Sequence, residues 1–266
     1  VLLGVAVSAL PGAEAPALPF RPSPVPGGVA VVVLPGREAP SRATYRGEPV
    51  LLRRTAKGWA AVVGIPLSAK PGQGVVEVDG RAVPFAIRPK RYPEQHVRLE
   101  NQRQVTPNPE DEARIAREQA LMGPAWKARP EGLAASLVLR QPTPGGLTAS
   151  FGMRRIFNGE PRSPHSGLDI RAPRGQAVRA PAAGVVVLTG DFFFSGNAVF
   201  LAHGEGMVSL LCHLSKITVQ QGQRVQAGDL IGEVGMTGRA TGPHLHWSLS
   251  LNNARVDPRI FLGSAP

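Results

Sequence analysis

Residues 197–215 read NAVFLAHGEGMVSLLCHLS. Two apolar, β-prone runs, NAVFLAHG and MVSLLCHL, flank a glycine-containing turn, which is the pattern of neighbouring strands and not of a helix. The pattern continues outward, through VVVLTG (185–190) on one side and LIGEVG (230–235) and HLHWSLSL (244–251) on the other. No credible helix interrupts these runs from Gln141 onward, so residues 141–266 are expected to form an antiparallel, largely all-β domain.

Upstream the pattern differs. VAVVVL (29–34), PVLLRR (49–54), WAAVVGI (59–65), GVVEVDG (74–80) and AVPFAI (82–87) are short runs at roughly 10-residue spacing, as in a small antiparallel sandwich. Residues 16–90 are therefore read as a β-sandwich-like accessory domain. Between 91 and 140, Asn108 followed by Pro109, Glu110, Asp111 and Glu112 is a good helix start, and Gly123 with Pro124 is expected to stop that helix at Met122. This segment is read as a helical linker. The fold class is thus mostly β, in two units, which suits 266 residues with 27 prolines and 31 glycines.

The first 15 residues, VLLGVAVSAL followed by PGAEA, resemble the end of an export signal, with Ala13 and Ala15 where a signal peptidase would cut. No other apolar stretch approaches the roughly 20 residues that cross a bilayer, so no stable membrane insertion is expected after processing. The single cysteine, Cys212, excludes an intrachain disulfide. Strand alternation places it on the face opposite His213, as a small packing residue away from any metal.

The net charge of +11 arises at the two ends of the chain: 11 basic and 5 acidic groups in 1–90, 8 and 7 in 91–140, 11 and 7 in 141–266. Arg154, Arg155, Arg162, Arg171, Arg174 and Arg179 share a window with only Glu160 and Asp169 as acids. Such a patch attracts an anionic polymer or is merely solvated. Few aromatics and no nucleic-acid-binding motif argue against nucleic acid. An anionic cell-envelope polymer is the better match.

Four of the six histidines fall into three short motifs of the second domain: PHSGLDI with His165 and Asp169, CHL with His213, and GPHLHW with His244 and His246. On a strand, His244 and His246 point the same way. Catalytic zinc takes three nitrogen or carboxylate ligands and keeps a fourth position open. His165, Asp169 and one histidine of the HLH pair meet that count, leaving the other histidines to move protons or stabilise an oxyanion. His203 is read as structural. Phe192, Phe193 and Phe194 line a groove or pack into a core. The glycine-rich stretch 222–242 also resembles a lipoyl or biotinyl carrier barrel, but residues 217–251 contain no lysine to carry the group.

PHSGLD, AVRAPAAGVV, NAVFLAHGEGMVSLLCHLS, VQQGQRVQAGDLIGEVGMTGRATGPHLHW and VDPRIFL together resemble the LytM/lysostaphin-type zinc endopeptidases of bacterial cell walls, over about residues 146–262. The resemblance implies zinc ligation by His165, Asp169 and His246, with His213 and His244 as the catalytic pair. It also implies a peptidoglycan cross-link or stem peptide as substrate and an extracytoplasmic location, in the periplasm or cell envelope. Relatives commonly carry an aromatic two positions before the first catalytic histidine, where this chain has Leu211. Two rivals remain: a non-catalytic activator of the same fold, disfavoured because every expected ligand is present, and a metalloprotease acting on peptides outside the cell wall.

Overall fold

A computed structural model describes residues 18–98 and 102–263; the export-signal reading of 1–15 falls outside them. The N-terminal unit has seven strands: β1 (Val29–Val33), β2 (Ala43–Tyr45), β3 (Glu48–Pro49), β4 (Leu51–Thr55), β5 (Gly58–Gly64), β6 (Gly72–Val78) and β7 (Arg81–Ile87). They form two antiparallel sheets, β1-β5-β4 and β3-β2-β6-β7, which share a core that includes Val32, Val63, Ile65, Val76 and Tyr45. This is the expected sandwich, with the short β2 and β3 added.

Residues 91–140 are less purely helical than expected. Strand β8 (Glu94–Val97) pairs in parallel with β10 (Arg154–Phe157), itself paired with β11 (Glu160–Pro161). Helix α1 spans Pro109–Trp126, and Asn108 caps it by accepting the Asp111 N–H at 2.8 Å. The helix passes Pro124 and ends four residues beyond Met122. A proline inside a helix costs about 3 kcal/mol. Burying a tryptophan offsets this, since 150–250 Å² at about 25 cal/mol per Å² gives roughly 4–6 kcal/mol. Trp126 is buried edge-to-face against Phe200, with Arg255 stacked 3.5 Å from its ring.

The remaining strands are β9 (Leu147–Ala149), β12 (Leu168–Arg171), β13 (Ala177–Arg179), β14 (Gly184–Phe192), β15 (Gly196–Gly204), β16 (Met207–Ile217), β17 (Arg224–Val225), β18 (Leu230–Val234), β19 (His244–Leu251) and β20 (Ala254–Val256). They make one ten-stranded antiparallel sheet around the path β17-β14-β15-β16-β19-β12-β9. Its back face carries Val199, Leu201, Leu211, Trp247, Leu249 and Leu251, and Val29, Leu51 and Val62 of the N-terminal unit belong to the same core. On the front face α1 covers Phe192, Ala198, Phe200, Val208, Leu210 and Cys212.

Two tight turns lock the units together. Glu205-Gly206 joins β15 to β16 and Asn252-Asn253 joins β19 to β20, all four residues at positive φ, the type I′ signature that matches strand twist. Glu205 takes a bidentate pair from Arg53 at 2.9 and 2.7 Å, and the Asn252 amide bonds both the N–H and the carbonyl of Gly64. Gly64 lies so close to Leu251 that an added Cβ would sit 2.6 Å from its carbonyl oxygen.

Candidate metal centre

Three strands and one loop assemble the site on the front face. On β12 and β19, Asp169 and His246 are direct cross-strand partners, so their side chains emerge side by side. His165 arrives from the preceding loop, which is pinned where Gly152 N–H donates to the His165 carbonyl and His165 N–H donates to Met153. Asp169 Oδ1 lies 3.0 Å from His165 Nε2 and 2.8 Å from His246 Nδ1, and those two nitrogens are 2.9 Å apart.

This donor set fits a metal ion. His165 Nδ1–H donates to the Ser150 carbonyl at 3.0 Å, which leaves Nε2 as a lone pair aimed at the other two ligand atoms. His246 Nε2–H donating to Ser248 Oγ at 2.8 Å leaves Nδ1 in the same condition. Two lone pairs and a carboxylate oxygen then converge on one point, which a cation satisfies. Burial opposes the charge of Asp169, yet its carboxyl stays far below the ordinary carboxylate range. Burial likewise lowers His246 to about 4, so its ring is neutral at pH 7, as ligation requires.

His213 and His244 stand beside this cluster, their ring centroids 4.8 Å apart. His213 Nδ1–H donates to the Thr237 carbonyl and His244 Nδ1–H to the Gly242 carbonyl, both at 2.8 Å. Each ring is thus fixed in the tautomer that keeps Nε2 free. Burial, reinforced by His246 and His244, lowers His213 to about 3.

Strict alternation on β16 would send His213 to the back of the sheet. It does not, because His213 adopts a left-handed backbone, φ 64°, and the pairing of β16 with β15 slips by one between Asn197 and Val199. The expectation for Cys212 is corrected by the same feature. Cys212 pairs directly opposite His246, so both point to the front face, and the bulge brings His213 round to join them. Cys212 is still a buried packing residue under α1, its thiol pushed up by burial. Leu211 faces the back core opposite Trp247 and cannot reach the site.

Gly167 explains the tightness of the HSGLD loop: a Cβ there would sit 2.7 Å from His246 Nε2 and 2.6 Å from the Trp247 carbonyl. Arg155 is the residue that the sequence did not single out. Its Nη2 donates to Asp169 Oδ2 at 2.8 Å, leaving Oδ1 for the metal. Of the six clustered arginines, Arg155 and Arg162 turn inward, while Arg154, Arg171, Arg174 and Arg179 are exposed. The three phenylalanines also divide: Phe192 enters the core under α1, and Phe194 lines the groove beside the metal centre. His203 is fully buried in a satisfied chain: its Nδ1–H donates to the Ala183 carbonyl, while Nε2 accepts from Ser209, which accepts from the Trp247 indole. His96 is exposed, with its Nε2 3.9 Å from Glu94.

The sequence matches the family model Peptidase family M23 over residues 163–258 and Peptidase family M23 N-terminal domain over residues 22–90. A crystal structure of a peptidase M23 from Pseudomonas aeruginosa is 46% identical, with a TM-score of 0.76, covering 91% of this chain and 96% of that one. The chain belongs to peptidase family M23. The LytM/lysostaphin-type resemblance is thereby borne out. Among M23 relatives, the DD-carboxypeptidase/endopeptidase Mpg of Neisseria meningitidis serogroup B is 46% identical over 94 residues, 35% of this chain. The peptidoglycan DD-endopeptidase ShyA of Vibrio cholerae is 40% identical over 112 residues, 42% of this chain. These matches span 22% and 26% of the relatives' own lengths.

Proposed function

We propose that this M23 chain is a zinc-dependent endopeptidase that hydrolyses peptide bonds of bacterial peptidoglycan, in its cross-links or stem peptides. His165, Asp169 and His246 hold the metal, and His213 and His244 are the catalytic pair. The observation that carries the reading is the convergence of three ligand atoms within 3.0 Å of one another, beside two further imidazoles with free Nε2 atoms. When bound, zinc supplies a Lewis acid that lowers the pKa of a water from roughly 16 to about 7 and polarises a carbonyl. Nε2 of His213 and of His244 is where each ring accepts a proton from the attacking water or, once protonated, donates to the developing oxyanion. Arg155 orients Asp169 through the hydrogen bond to Oδ2.

Peptidoglycan as substrate is supported by the names of the relatives and by the cationic groove beside the site. An extracytoplasmic location, in the periplasm or cell envelope, is what such a substrate calls for. No described helix is long and apolar enough to cross a membrane. The division of labour is an accessory unit at 16–90, a connecting segment at 91–140 and the peptidase domain at 141–266. Exposed Arg154, Arg171, Arg174 and Arg179 offer a surface to anionic envelope polymers.

The test is zinc content by elemental analysis together with digestion of purified sacculi, products being identified by mass spectrometry. His165→Ala, Asp169→Ala and His246→Ala should each lose zinc and activity together. Full zinc occupancy in any of the three, or no product from any sacculus with the zinc-loaded parent, overturns the assignment.

A further inference from the structure

We infer that the groove beside the metal centre, walled by Arg155, Arg239 and Arg255, is a subsite for a carboxylate of the substrate peptide. This deepens the peptidase reading and rests on it for the identity of the ligand as a substrate. The groove has a volume of about 290 Å³, runs from His165, His213 and His246 toward Trp126, and contains no acidic side chain in its lining.

Arg155 is paired with Asp169, but Arg239 and Arg255 are held there by aromatic faces and neutral acceptors. Arg239 is stacked 4.2 Å from the Phe194 ring and 4.9 Å from Phe157, and its guanidinium donates to the Gln104 carbonyl at 3.2 Å. Arg255 lies over Trp126 and donates to Ser250 Oγ and the Asn253 carbonyl. Neither has an acid partner among the described residues. Arg155 spends Nη2 on Asp169, while its Nε is buried with no hydrogen-bond partner. Partly burying cations without counter-charges is costly, and burial lowers Arg239 and Arg255 to about 10. Aromatic stacking occupies the faces of a guanidinium and leaves its N–H edges, the edges that grip a carboxylate as a fork.

Strand geometry sets where that carboxylate falls. Along β19, His246, Ser248 and Ser250 share the front face, and Arg255 pairs with Ser250. At about 3.3 Å per residue, Arg255 marks the far end of a groove roughly 13 Å from His246, with Arg155 at the near end. An extended peptide would carry its carboxylate one to three residues from the scissile bond. The depression on the other side of Asp169, lined by His244, Thr241 and Gln95, has Arg171 as its one arginine. The anionic half of the substrate is therefore placed on the Trp126 side.

Equilibrium binding by calorimetry tests this, using the full zinc-loaded chain and a stem tetrapeptide in three forms: free acid, terminal amide, and side-chain amide. The two amides distinguish a chain-terminal from a side-chain carboxylate. The free acid should bind about tenfold or more tighter than one of the amides, the scale of a charge-assisted hydrogen bond. Arg239→Gln and Arg255→Gln should shrink that ratio toward one, and Arg239→Lys and Arg255→Lys should keep part of it. Equal binding of all three peptides, no binding of any, or a ratio that survives both Gln substitutions overturns the proposal. The ratio is read first on the unsubstituted chain, so a variant that fails to fold shields nothing. Discrimination without hydrolysis of any sacculus would sink the peptidase reading and leave the subsite standing; hydrolysis without discrimination would do the reverse.

Discussion

Cys212 lies directly opposite His246 across the β16–β19 ladder, so a thiol and a metal-site imidazole share one face of the sheet. The thiol belongs to the core under α1 at the floor of the groove, and burial raises its pKa, so it is a poor nucleophile. Cys212→Ala is expected to keep zinc and turnover and the parent thiol to react slowly with a disulfide reagent in the folded state. Cys212→Phe should fill the groove floor and lower kcat/KM at least tenfold with the metal still bound. Rapid thiol labelling without unfolding would contradict the placement.

His213 carries its functional ring on a backbone that L-residues avoid. At φ 64° a Cβ costs roughly 1–2 kcal/mol, a cost glycine escapes. Both His213→Ala and His213→Gly should lose turnover by about a hundredfold or more while retaining zinc. Yet His213→Gly should unfold at higher denaturant than His213→Ala, reversing the usual order at a strand position. The ordinary order, alanine above glycine, would show that the strained turn is not what brings the ring to the site.

Gly167 is pressed against His246 Nε2 and the Trp247 backbone. Gly167→Ala leaves every ligand in the sequence but displaces one. Zinc affinity should fall by at least tenfold, read by competition with a chromophoric chelator, with the global melting curve shifted much less than for a core substitution. Unchanged affinity would mean that the loop yields instead.

His165 and Asp169, and His244 and His246, stood out by their short spacing, and strand period alone sets the latter two on one face; His213, alone in CHL, and the choice between His244 and His246 as ligand came only with the family resemblance. What makes the site work was less legible because it depends on contacts distant in sequence. Arg155 meets Asp169 from a strand 14 residues earlier, and Trp126 reaches Phe200 across 74 residues, with no local period to announce either. The turn of His213 was hidden for another reason: nothing at CHL carries the glycine or asparagine that usually signals a left-handed residue. Pro124 marked a helix end correctly by local propensity, but the packing of Trp126 overrode it. The sandwich and the sheet were readable in outline since their strands are short, alternating and glycine-bounded; the parallel pairing of β8 with β10 was not, because EQHV has too little pattern to mark a strand.

His203 gives the stability a pH signature apart from the metal site. Burial lowers it to about 4 from an ordinary 6.5, and its neutral ring is built into the Trp247–Ser209–Ala183 chain. Between those values the unfolded chain binds the proton and the folded one does not, so stability falls as pH drops below about 6.5 and reaches its full loss below about 4. The size is on the order of 3 kcal/mol at 1.36 kcal/mol per pKa unit. His203→Gln should flatten this part of the stability curve, measured by denaturant unfolding of the metal-free protein from pH 4 to 8. A curve with the parent's slope would reject the assignment.

Sequence pattern alone places the start of a self-sufficient peptidase fragment near Arg140, where strand-like runs resume. The packing predicts otherwise. Such a fragment loses α1, exposing Phe192, Phe200, Leu210 and Cys212, and loses Trp126 from the groove wall and the β8 partner of β10. It also loses Val29, Leu51 and Val62 from the back-face core, together with the Arg53 and Gly64 partners of both type I′ turns. Four such apolar side chains at about 1.5–3 kcal/mol each are comparable to the whole 5–15 kcal/mol that a domain has in reserve. A fragment from Arg140 should therefore be aggregation-prone or bind a hydrophobic dye, while one that begins near Gln102 keeps α1 and should recover part of the fold and of the zinc site. The sandwich sits behind the sheet and not over the metal, so removing it should not accelerate cleavage of soluble muropeptides. A well-folded Arg140 fragment that is faster than the full chain would reject this account and give the N-terminal unit a covering role instead.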